Sequence, residues 1–195
     1  EIERFFGFEP ASKMQQLQLV NGAHQNASFD PANPTTITFR DEILKAGDTS
    51  PRVISAHETI HLIDGRSEYT LSGGDFEKLQ KRMVRERHPF LEFINEKNFF
   101  PGVNFGGHAA TNARELYASL VNSMQLYQQD PAAWEAKVVR TSPAIREGYT
   151  EALTAYGAQL RIVAAAHPEF RGLTESDALR ISEAMTMWLS SGVSP

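Results

Sequence analysis

"SAHETIHLID", residues 55–64, is the stretch on which the reading of this chain turns. It holds two of the six histidines, His57 and His61, with Glu58 directly after the first. In an α-helix, residues i and i+4 stand on one face about 6 Å apart along the axis. His57 and His61 can then aim two imidazoles at one ion, and Glu58 points beside them toward a water held there. That is the physical content of the zinc-binding pattern H-E-x-x-H. The competing reading is a pair of hydrogen-bonded histidines in a protein core.

The flanks of the stretch mark a helix at both ends. Ser50 suits an N-cap, Pro51 suits the first helical position and Gly65 suits a C-cap, which predicts a helix over 51–64. Val53, Ile54, Ile60, Leu62 and Ile63 leave it no polar face, so it is expected to be buried.

A catalytic zinc needs a third protein ligand and one open position. The chain has no cysteine, so every ligand must be a histidine or a carboxylate. Asp64 shares the face of His57 but lies seven residues, about 10.5 Å, away along the axis. It cannot join both histidines on one ion while the helix stays straight. It is expected either to support the site from behind, bonding a ligand imidazole or fixing a neighbouring loop, or to be a surface residue of the last turn. The metzincin continuation fails, since it needs a glycine and a histidine where Asp64 and Ser67 stand. Two carboxylates remain: Glu115 in "TNARELYASL" and Glu147 in "AIREGYTEAL", each opening an apolar helix. Glu115 has a structural alternative as the capping-box partner of Asn112. Glu147 has one as a solvated acid in a first turn, where the helix dipole favours it.

The rest of the sequence fits one domain over 1–195, with an N-terminal lobe (1–65) ending in the active-site helix and a helical C-terminal lobe (66–195). Apolar content of 41% and charged content of 22% are ordinary for a globular protein. A net charge of −5 without a basic run argues against nucleic-acid binding. No apolar run approaches ~20 residues, so no membrane span is expected. The chain starts at Glu1 rather than methionine, which is read as processing or excision. Segment 27–39 reads as two short strands, around 27–29 and 35–39, joined by a Pro/Asn turn. The strand at 35–39 is either an open sheet edge for a peptide or an ordinary core strand. After a loop at 65–74, helices are expected over 75–87, 89–97, 112–127, 131–139, 143–166 and 175–190. The glycine-rich connection 99–111 suits the lining of a binding site. His24, His88 and His167 are expected on the surface.

"HETIHLID" followed by "HAATNARELYASLVNSMQLYQQDP" resembles the gluzincin peptidases grouped around the anthrax lethal factor catalytic domain, the bacterial Pro-Pro endopeptidases and Mlc titration factor A. There, an H-E-x-x-H-x-x-D helix precedes a segment Y-A-x-T-N-x-x-E-x-F-A whose glutamate is the third zinc ligand. Thr111, Asn112, Glu115, Tyr117 and Ala118 fall in place on that segment, and "YQQDP" echoes the titration factor. The resemblance covers about 50–132 and departs at the tyrosine, which is His108 here. It implies Zn²⁺ on His57, His61 and Glu115, with Glu147 as the alternative ligand. It also implies Asp64 and Asn112 behind the ligands, Glu58 as general base and His108 in place of the oxyanion-binding tyrosine; two other readings of His108 stay open, an exposed loop residue and a fourth zinc ligand. The implied fold is α+β, predominantly helical and zincin-like, with a small N-terminal β-sheet, a central H-E-x-x-H helix and a helical C-terminal lobe. The expected activity is that of a monomeric zinc endopeptidase acting on peptide or protein substrates, secreted or translocated as a bacterial effector or toxin domain. Two other classes stay open: a zincin-fold protein acting mainly by protein binding, and a metal-free helical interaction module.

Overall fold

The computed structural model describes residues 2–7, 16–20, 27–29, 36–40, 50–100, 103 and 108–191, and it is predominantly helical. A short helix α1 (Ile2–Phe5) is followed by the strands β1 (Gln16–Val20), β2 (Ala27–Phe29) and β3 (Thr36–Arg40). β3 pairs parallel with β1 and antiparallel with β2, giving the order β1–β3–β2. β3 is therefore the middle strand, so of the two positions expected for 35–39 it takes the interior one and not the open edge. The turn expected between β2 and β3 and residues 101, 102 and 104–107 of the 99–111 connection lie outside the described residues.

Helix α2 (Ser50–Arg66) carries the H-E-x-x-H stretch. Val53, Ile54, Ile60, Leu62 and Ile63 are all buried, as their spacing around the helix requires. Gly65 does not end it. The helix runs one residue further, and the left-handed turn falls on Glu68 (φ 54) and Tyr69 (φ 61). Tertiary contacts hold that turn where a glycine would have been conformationally cheaper. The Ser67 hydroxyl donates to the Asp64 carbonyl (2.7 Å), and the Ser72 N–H donates to Asp64 Oδ1 (3.0 Å). The Arg114 guanidinium lies 3.6 Å from the centre of the Tyr69 ring.

Helix α3 (Gly74–Arg85) buries Phe76, Gln80 and Met83 at four- and three-residue spacing. The single helix expected over 89–97 is instead two turns, α4 (Phe90–Phe93) and α5 (Glu96–Phe99), broken at Ile94 and Asn95. Beyond them come α6 (Ala113–Gln129), α7 (Pro131–Val138), α8 (Pro143–Ala166), a 3-10 helix (Pro168–Glu175) and α9 (Asp177–Ser190). Asn112, Asp130, Ser142 and Ser176 cap α6, α7, α8 and α9, each side chain accepting a backbone N–H three residues on.

The core includes Tyr117, Leu120 and Met124 of α6 and Tyr149, Tyr156 and Leu160 of α8, with Trp134 of α7 edge-on to Tyr149. Both α2 and α5 pack against α6. That three-helix junction positions the site. His88, expected on a solvated helix end, is half-buried with its ring over Gly148. His167 is half-buried beside Phe170, and His24 lies outside the described residues. Among the described residues, no helix is long and apolar enough to cross a membrane.

Candidate metal centre

The helical pitch of α2 does what its spacing dictates. His57 and His61 stand on one face with their Nε2 atoms 3.1 Å apart. The face they share turns toward the first turn of α6, where Glu115 sits. Glu115 Oε2 is 3.1 Å from His57 Nε2, and Oε1 is 3.5 Å from His61 Nε2. One ligand atom from each of the three residues lies within 4.8 Å of the others, with His57 buried and the other two half-buried. Such a group could hold a metal ion. The two imidazole nitrogens come from α2 and the two carboxylate oxygens from α6.

The capping-box alternative for Glu115 is half realised. Asn112 Oδ1 accepts the Glu115 N–H at 3.1 Å, so the helix end is capped. The Glu115 carboxylate does not return to the Asn112 backbone; both its oxygens face histidines. The cap thus fixes the backbone that carries the candidate ligand.

Behind His57 lies a residue the sequence reading missed. Glu96 of α5 is only 1% exposed, and its Oε1 sits 3.0 Å from His57 Nδ1. The same oxygen accepts the Ser119 hydroxyl of α6 at 2.7 Å. A signal was present: Glu96 is three residues from both Phe93 and Phe99, on the apolar side of its turn. It was hidden because a continuous helix over 89–97 placed Glu96 at a fraying end.

The charges of the cluster respond to one another. Burial would lower the His57 pKa, but the hydrogen bonds to Glu115 and Glu96 outweigh it and raise the imidazole to about 10 in the metal-free chain. Burial would raise Glu115, yet its bonds with His57 and His61 hold it well below the usual carboxylate range. Glu96 is lowered too: His57 and Ser119 overcome the cost of burial.

Asp64 is fully buried and serves the loop, accepting from Ser72 as described above. Its pKa is raised, chiefly by burial. Glu58 follows His57 on α2 and is half-buried. His108 is exposed, its carbonyl accepting the Thr111 N–H at 2.7 Å, and it is not part of the convergent group. Glu147 is exposed on α8, on the side of Arg82, and is likewise outside that group. Compared with protein-family models, curated proteins and solved structures, the chain matches none.

Proposed function

We propose that the chain is a zinc-dependent endopeptidase of the gluzincin kind, with His57, His61 and Glu115 as ligands and Glu58 as general base. The observation that carries this reading is the arrival of Glu115, 54 residues after His61 in sequence, on the two histidines of the motif. Two histidines and a glutamate are the donor set of catalytic zinc sites that keep a fourth position open. When bound, zinc supplies Lewis acidity, making water a nucleophile near neutral pH and polarising the scissile carbonyl.

The chain's own residues do the rest. Glu58 takes the proton from the attacking water and passes it to the leaving amine. His108 is assigned the hydrogen bond to the oxyanion that develops on the carbonyl. Asn112 caps the turn that carries Glu115, and Asp64 ties the end of α2 to the loop that follows it. The same reading includes a zincin-like arrangement of a small N-terminal sheet before the motif helix. A bound peptide would then add to β1 or β2, since β3 is interior.

One observation favours a rival. His57 has a carboxylate at each ring nitrogen, and that network would also serve a metal-free core in an interaction module. Metal analysis of the purified chain separates them. About one zinc per chain, lost in His57→Ala, is the expected result; a chain that takes up no zinc is the rival. Cleavage of a peptide library, abolished in Glu58→Gln, then separates a peptidase from a zincin-fold protein that acts by binding.

A further inference from the structure

We infer that Glu96 is a positioning residue for the metal, holding the His57 ring through Nδ1 so that Nε2 faces the ion; this rests on the metal site proposed above. An ionised carboxylate 1% exposed is costly to bury unless it is bonded and its charge is offset. Both bonds to Glu96 fall on Oε1: His57 Nδ1 at 3.0 Å and the Ser119 hydroxyl at 2.7 Å. They tie α5 to α2 and α6, the two helices that carry the candidate ligands.

The chemistry runs through the imidazole. A neutral ring that donates Nδ1–H to a carboxylate keeps its lone pair on Nε2. Nε2 is the atom that lies 3.1 Å from both Glu115 Oε2 and His61 Nε2. Glu96 therefore selects the tautomer in which His57 can ligate, and its negative charge makes that nitrogen a stronger donor. Ser119 fixes which way the carboxylate faces. Charge balance agrees: Glu96 and Glu115 bring two negative charges to neutral imidazoles, and a divalent cation cancels both.

The test uses the full chain and zinc alone, with affinity read by competition against a chelator and folding checked by melting of the metal-free protein. Glu96→Gln keeps the side-chain shape and removes the charge. It should weaken zinc about 10–100-fold while the protein still folds. Ser119→Ala should weaken it in the same direction by about 3–10-fold, the worth of one hydrogen bond. In the cobalt-substituted wild type, the paramagnetically shifted Nδ1–H of His57 should exchange slowly with solvent, and Glu96→Gln should shift it or speed its exchange. A purely structural role would move the melting curve and leave that signal alone. Zinc affinity within twofold of wild type in both variants overturns the inference, and Ser119→Ala decides alone if Glu96→Gln fails to fold. A wild-type chain that binds no zinc overturns it together with the proposed function. Zinc binding without any peptide cleavage removes only the peptidase.

Discussion

Glu58, Glu96 and Glu115 are chemically identical side chains whose surroundings separate them. Glu115 has an oxygen against each histidine, at 3.1 and 3.5 Å, so its removal strips the site of an anionic ligand. Glu115→Ala should therefore weaken zinc beyond the ~10–100-fold typical of a residue behind the ligands, while exposed Glu147→Ala should leave it bound. Equilibrium dialysis with zinc checks both; loss of metal in Glu147→Ala would refute the assignment. Glu58→Gln should keep about one zinc per chain and reduce peptide turnover to background. For His108, loss of one oxyanion donor typically costs ~10²–10³ in kcat. His108→Phe should show that loss with zinc retained, and His108→Tyr should recover much of it. A kcat within twofold of wild type in His108→Phe would remove His108 from the chemistry. At this scale, spacing made His57 and His61 legible and the family resemblance pointed to Glu115. Glu96 was not legible, because its partners come from residues 39 positions earlier and 23 positions later.

Helix ends decide how well the site is held. The first turn of α6 carries Glu115, and the Asn112 cap closes that turn. Asn112→Ala should cost about 1 kcal/mol of stability, as lost N-caps do, and should also loosen zinc by leaving Glu115 on a fraying end. A thermal melt and a zinc titration on the same protein read both effects. Gly148→Ala is the contrasting case. Its added Cβ would meet His88 Cε1 at 2.6 Å and Phe90 Cβ at 2.7 Å, far from α2 in the chain. Such overpacking should cost about 1–3 kcal/mol with zinc affinity unchanged. The helices with a capping residue and a proline at the start, α7 and α8, could be read directly from the sequence. Where α2 ends could not. Gly65 is a strong local stop signal, but Asp64, Ser67 and Arg114 fix the turn three residues later through contacts no local rule contains.

For the molecule as a whole, metal and protons compete for the same buried cluster. Without metal, His57 is raised from its usual 6.5 to about 10, burial being outweighed by Glu115 and Glu96. A raised histidine contributes stability that is present in full below pH 6.5 and lost as pH rises through about 10. Glu115 is lowered, so its contribution is present above its usual pKa of 4.5 and lost as pH falls below that. The metal-free chain should thus lose stability on both the acid and the alkaline side of a window near pH 4.5–6.5. Zinc requires neutral imidazoles, so binding must expel the His57 proton. At free zinc of 100 times Kd the metal should add about 2.7 kcal/mol, or roughly 5–10 °C in Tm for a chain of this size. The apparent Kd should fall about tenfold for each pH unit between 6 and 8, where the metal-free His57 remains protonated. Calorimetric titrations in buffers of different ionisation enthalpy should accordingly show about one proton released per zinc at pH 7. A Kd independent of pH over that range, with no proton released, would mean either that His57 is neutral in the metal-free chain or that zinc binds elsewhere, and zinc binding by His57→Ala separates the two.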